Sequence, residues 1–202
     1  MAFEDIIKDS KAFVLGLDNI VYPEKDYLLQ VYYLFSEFMA YSEQADANQI
    51  LAFMKTEFEQ TGVEEIFEKT ASNFNLPDKY KANFDLLHQN ARLPLKLLLY
   101  KQVLTFLQEV IVERKNIFLL VDGDPAMQLN KIKQTEWNGL DQYMKLYFTA
   151  EFKPKPNANS LQFIMESNEV FQADILLIGN AETDELFAQN AGVKYFNVTK
   201  LL

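Results

Sequence analysis

The sequence predicts an α/β protein, a parallel sheet wrapped by helices and interrupted early by an all-helical insertion. Three observations lead there. Short apolar runs recur at Ala12–Leu17, Asn116–Val121 and Asp174–Ile178, each cut off by Gly, Asp or Asn. Such runs read as strands buried on both faces, the texture of a parallel sheet. Stretches with apolar residues at helical spacing lie between them, joined by short loops, and that alternation calls for crossover helices. Residues 24–94, by contrast, carry helical periodicity throughout and offer no strand candidate.

Phe3–Ser10 reads as a short helix. AFVLGLDNIVYP follows (Ala12–Pro23), and its strand stops abruptly at Gly16-Leu17-Asp18-Asn19. Ligands of open α/β sheets collect outside the carboxyl ends of strands, so this stop is a candidate site. Tyr27–Tyr41 is helical and apolar nearly all round, so it is buried on more than one side or meets another surface. Asp46 opens a helix to Gln60 that Gly62 breaks; Val63–Ala71 resumes it. Asn75-Leu76-Pro77-Asp78 is a turn, and Tyr80–Ala91 is helical until Pro94. Leu97–Arg114 reads as one long amphipathic helix. The strand Asn116–Val121 then ends in Asp122-Gly123-Asp124, with Pro125–Thr135 helical and Met144–Thr149 extended after it. Lys153-Pro154-Lys155-Pro156 is a stiff extended connection. A helix at Asn159–Val170, a strand at Asp174–Ile178 ending in Gly179-Asn180, a helix at Thr183–Ala191 closed by Gly192, and a strand at Val193–Val198 complete the chain. The expected division is a core of residues 1–23 and 95–202 with a helical insertion of residues 24–94.

Composition narrows the function. The chain has 202 residues, enough for one domain with an insertion. A net charge of −10 argues against nucleic acid, whose phosphates need clustered Lys and Arg. Without cysteine there is no disulfide, thiolate metal site or thiol nucleophile. His88, the single histidine, gives poor support to a histidine metal cluster or a Ser-His-Asp triad. No apolar stretch reaches the roughly 18 residues a membrane span needs. The acidic opening MAFEDIIKDS lacks the pattern of a signal peptide. A cytoplasmic location and no membrane partner are therefore expected.

The strand ends, in order, are Gly16-Leu17-Asp18-Asn19, Val121-Asp122-Gly123, Lys153-Pro154-Lys155-Pro156 and Gly179-Asn180-Ala181-Glu182-Thr183-Asp184. This series resembles the haloacid dehalogenase (HAD) superfamily of phosphohydrolases. Its members carry DxD after the first strand, Ser or Thr after the second, Lys before a later helix, often as KPxP, and GD(x)nD after the fourth. LDNIVYP is similar to the LDNTLYP variant of nucleotidase-like members, and GNAETDELFAQNAGVKYF is similar to the closing motif. The resemblance covers essentially the whole chain. It implies a Rossmann-like core, a helical cap at 24–94, phosphatase-type hydrolase chemistry and Mg²⁺.

The departures fall on the chemistry. The family's nucleophilic aspartate is replaced by Gly16, which has no side chain to attack phosphorus. The general acid/base is retained as Asp18. The phosphoryl-holding hydroxyl is replaced by Val121, which donates no hydrogen bond. A threonine of the first loop has become Ile20. The catalytic lysine falls on Lys153, with Lys155 as the alternative. Asn180 and Asp184 stand at the metal-ligating positions, beside Asp18, and Asn19, Asp122, Gly123, Val121 and Lys153 at substrate-binding ones. With no acid at 16 or 180, tight Mg²⁺ binding is not expected, since Mg²⁺ relies on carboxylates and substrate phosphate. Asp18, Asp184 and Lys153 nearly balance one another without it. Three readings follow. The first is a catalytically degenerate protein that binds a phosphate-bearing or anionic small molecule. The second is a slow phosphohydrolase with Asp18 as general base and Lys153 as clamp. The third is a scaffold or homodimer that uses its aromatic helices.

Overall fold

The computed structural model describes residues 3–202, and side chains from residue 5 onward. In chain order the elements are α1 (Phe3–Lys8), β1 (Ala12–Leu15), α2 (Glu24–Glu43), α3 (Ala47–Thr61), α4 (Ile66–Phe74), α5 (Lys81–Asn90) and a two-residue β2 (Leu97–Leu98). Then come α6 (Lys101–Val112), β3 (Asn116–Val121), α7 (Pro125–Gln134), a two-residue β4 (Thr135–Glu136) and β5 (Met144–Phe148). α8 (Asn159–Asn168), β6 (Ile175–Gly179), α9 (Glu182–Ala191) and β7 (Lys194–Asn197) close the chain. No described helix is long and apolar enough to cross a membrane.

These elements form two compact units. One holds the chain to Pro23, Leu98–Gln128 and Thr135–Leu202; the other holds Glu24–Leu97 and Leu129–Gln134. The first is a five-stranded parallel sheet in the order β5-β3-β1-β6-β7. β1 lies at its centre. Ala12 pairs with Asn116 on one side and Ile175 on the other, and Leu15 with Leu119 and Ile178. All four β1 residues are buried, which is why the run is apolar at every position. One face packs Val14, Phe118, Leu120 and Leu177 against Leu161 and Ile164 of α8 and Phe187 and Ala188 of α9. On the other, Phe13 meets Phe106 of α6 edge to face at 5.4 Å. Because the strands are parallel and in register, the loops after β1, β3 and β6 leave the sheet at the same end.

The second unit is helical. Phe35 of α2 packs edge-on against Phe84 of α5 at 5.1 Å and Phe67 of α4 at 5.9 Å. Asp46 caps α3 by accepting from the backbone N–H of Asn48 and Gln49, and Gly62, at φ 73°, closes it.

One boundary differs from expectation. α6 begins at Lys101, because Tyr100 is extended and donates its N–H to the carbonyl of Val21 at 3.0 Å. Leu129–Gln134 groups with the helical unit. Lys131, 1% exposed, lies over the ring of Tyr27 and 3.7 Å from Glu24, and Gln134 accepts from the N–H of Leu93.

Candidate functional site

A cavity of about 180 Å³ lies at the carboxyl end of the sheet, lined by Gly16, Asp18, Ile20, Gln128, Lys155 and Asn180 among others. Its first wall is the tight turn after β1. Val21 donates its N–H to Leu17 at 2.9 Å, and Asn19 takes a left-handed conformation, φ 58°, that asparagine tolerates. The turn brings the Tyr22 hydroxyl back to donate to Asp18 Oδ1 at 2.6 Å. Gln128 of α7 donates from Nε2 to Asp18 Oδ2 at 3.0 Å. Gln128 is 4% exposed, and its Oε1 has no hydrogen-bond partner among the described residues.

The same turn folds Ile20 against Gly16. A Cβ on residue 16 would lie 2.7 Å from Ile20 Cδ1, closer than real side chains approach. The φ of Gly16 lies outside the left-handed range, so the backbone would accept another residue there. What stands in the way is one methyl group. The space that a side chain on residue 16 would enter is filled rather than vacant.

Lys155 supplies the second wall. Its Nζ lies 2.7 Å from Asp122 Oδ2 and 2.9 Å from Asp184 Oδ1. Burial on its own would lower the pKa of this ammonium; the carboxylates of Asp184 and then Asp122 outweigh it and hold the pKa above the usual lysine value. Asp184 Oδ2 also accepts the backbone N–H groups of Asn180 (3.2 Å) and Ala181 (3.3 Å), so the acid sits on the N-terminus of α9, where negative charge is favoured. Gly179 permits this fold-back, since a Cβ there would fall 2.5 Å from that of Asp184. Asp122 and Lys155 also border a neighbouring cleft of about 520 Å³ with Gly123, Thr149 and Thr183.

The predicted residues are therefore only partly brought together. Asp18, Asn180, Asp184 and Asp122 line the cavity, and Gly123 the adjoining cleft. It is Lys155, not Lys153, whose ammonium reaches the carboxylates; Lys153 is exposed. Val121 is fully buried, and its carbonyl accepts from Thr149 Oγ1 at 3.2 Å. Asn19 contributes its carbonyl, which accepts from Asn180 Nδ2 at 3.3 Å. Sequence reasoning missed Gln128, which no motif marks, and the contact of Ile20 with Gly16.

A family model described as haloacid dehalogenase-like hydrolase matches residues 15–198, from the last residue of β1 to beyond β7. The chain belongs to that family. No curated protein matches it. Among solved structures, a hydrolase from Streptococcus pneumoniae TIGR4 is 19% identical over 93% of this chain and 92% of its own, at a TM-score of 0.58. A HAD-superfamily hydrolase (subfamily IA, variant 1) from Geobacter sulfurreducens PCA is 16% identical over 93% and 86%, at 0.55. The UTR4 protein from Saccharomyces cerevisiae is 14% identical over 92% and 89%, at 0.51. At such identities the likeness is one of fold.

Members of this family generally use Mg²⁺, and the donor set of this HAD-like chain does not fit that ion. Gly16 offers no side-chain oxygen, both oxygens of Asp18 accept hydrogen bonds, and Asp184 is paired with an ammonium. Among the described residues no group of three or more acid, histidine or cysteine side chains is placed to hold a metal.

Proposed function

We propose that this chain is a catalytically retired HAD-like hydrolase, a pseudoenzyme that keeps the phosphatase-type frame without its covalent step. The observation that carries the reading is Gly16, which bears no side chain, with Ile20 folded over it. An aspartyl-phosphate requires a carboxylate on residue 16, and the methyl of Ile20 occupies the volume in which that side chain would begin. The surroundings support the same reading. Val121 has no hydroxyl for a phosphoryl group and is buried, and the Lys155 ammonium is already committed to two carboxylates. Loss of a nucleophile that acts within a catalytic unit costs on the order of 10⁶ in turnover.

Charge also bears on the ligand. The sequence suggested an anion held by the lysine and the strand-end amides. Here Asp18, Asp122 and Asp184 line the cavity against one lysine, an excess of negative charge that disfavours a phosphate.

The test is hydrolysis of a generic phosphate ester, with and without Mg²⁺, by wild type, Asp18→Asn and Lys155→Ala. All three are expected at the buffer background. Turnover by wild type that falls in both variants would overturn the proposal. It would favour slow hydrolysis, with Asp18 as general base and Lys155 as clamp. The observation behind that second reading is that both residues line one cavity.

A further inference from the structure

In a chain of net charge −10, one pocket of the helical unit has the opposite character. It encloses about 380 Å³ between the end of α5, the loop Ala91–Lys96 and α7, and no acidic residue lines it. Two cations do, Arg92 and Lys96. Both are exposed, and neither has an ion pair or hydrogen bond with another described residue.

The loop that presents them is braced from α7. Gln134 accepts the N–H of Leu93 on Oε1 and donates from Nε2 to the carbonyl of Ala91 at 2.8 Å. Asn130 donates to that same carbonyl at 3.0 Å and accepts from Gln134 on Oδ1. Gln30 accepts the N–H of Leu95 at 2.8 Å. The loop is thus fixed without help from either charge. The side-chain oxygens of Asn130 and Gln134 are engaged within this brace. Apart from the amide of Asn90, the side-chain groups left for a ligand are the two positive charges.

We infer that this pocket is a binding site for the oxyanion of a small molecule, a phosphate or a carboxylate, held between the Arg92 guanidinium and the Lys96 ammonium. A guanidinium offers two parallel donors that match either oxyanion, and an ammonium adds a point charge from the other side. An occupant compensates two charges that the fold leaves uncompensated.

The experiment is a titration of the ¹⁵N-labelled full chain with inorganic phosphate and, separately, citrate, each against sodium chloride at matched ionic strength and followed by amide shifts. Saturable shifts confined to residues 90–96 are expected for at least one of the two, with affinity on the order of millimolar. Which of the two saturates distinguishes a phosphate-bearing ligand from a polycarboxylate. Arg92→Ala and Lys96→Ala are each expected to weaken binding by about tenfold, the worth of one charge-assisted hydrogen bond, while Lys155→Ala leaves it unchanged. Both positions are exposed, so the variants are expected to keep the wild-type spectrum elsewhere. Shifts that fail to saturate, that survive both substitutions, or that vanish in Lys155→Ala would overturn the assignment.

Discussion

Gly16→Ala introduces one methyl group at the point where Ile20 Cδ1 stands, 2.7 Å away. The next atoms, Ile20 Cγ1 and Leu120 O, are both at 4.0 Å, an ordinary contact. The whole conflict therefore rests on the end of one side chain. Ile20 is itself 4% exposed, so its methyl must turn either against packed neighbours or into the adjoining cavity, and overpacking of this kind costs about 1–3 kcal/mol. Alanine in place of glycine offsets about 0.4–1 kcal/mol by restricting the unfolded chain. The expected net loss is about 1 kcal/mol. Ile20→Val removes the interfering Cδ1 and on its own leaves a small void, at about 0.5–1.5 kcal/mol. Together the two changes exchange one methyl for another, so the double variant is expected near wild-type stability, with a favourable coupling of about 1–2 kcal/mol. Urea unfolding followed by Trp137 measures this, because that single tryptophan is buried in the same unit as the site. In a thermal scan each kcal/mol corresponds to about 2–4 °C. Additive losses would mean that Ile20 does not fill the place of residue 16, and the reasoning from it would fail.

Gly16→Asp with Ile20→Thr supplies an acid at residue 16 and room for it, and is still expected to show no turnover in the phosphate-ester assay, because Val121 and Asn180 are unchanged. Lys155→Met leaves the buried Asp184 without its counter-ion and is expected to lower the unfolding free energy measured in urea by about 3 kcal/mol; Asp122→Asn, at a side chain that is 53% exposed, costs under about 1 kcal/mol. The raised pKa of Lys155 means that its stabilisation is complete through neutral pH and is lost only as pH climbs past the ordinary lysine value of 10.5, a limb absent from Lys155→Met. His88 has the opposite sign. Burial lowers its pKa below 6.5, so the unfolded chain takes up the proton first, and stability measured by circular dichroism falls as pH drops through 6.5, a loss that His88→Gln removes. Asp46→Ala, which strips the cap from α3, is expected to cost about 1 kcal/mol.

The fold was legible because its three inner strands are buried on both sides. AFVL, IFLLV and ILLIG are apolar without interruption, and that texture separates them from helices whose polar face recurs every turn. That residue 16 is a glycine at the end of the first strand was legible too. What packs against it was not. Ile20 meets Gly16 through a turn whose path depends on Asn19 taking a left-handed conformation, and composition does not reveal that. The lysine was ambiguous for a simpler reason: Lys-Pro occurs twice in four residues, and the course of the loop alone decides which ammonium turns inward. Gln128 was invisible, a polar residue on a helix with nothing in its neighbours to say that it is buried.

The position of β1 has a consequence for synthesis. It is the central strand and leaves the ribosome well before its ladder partners, which begin at Asn116 and Ile175. Throughout translation of α2–α5, the segment AFVL has both edges bare and four apolar side chains in water, a template for pairing with another nascent copy. Nearly all of the helical unit can already be in place while the sheet is still waiting for its middle to be flanked. Yield in a cell will therefore follow how well that one early strand is shielded, by chaperones or by slow dilute expression, more closely than it follows the stability of the finished molecule.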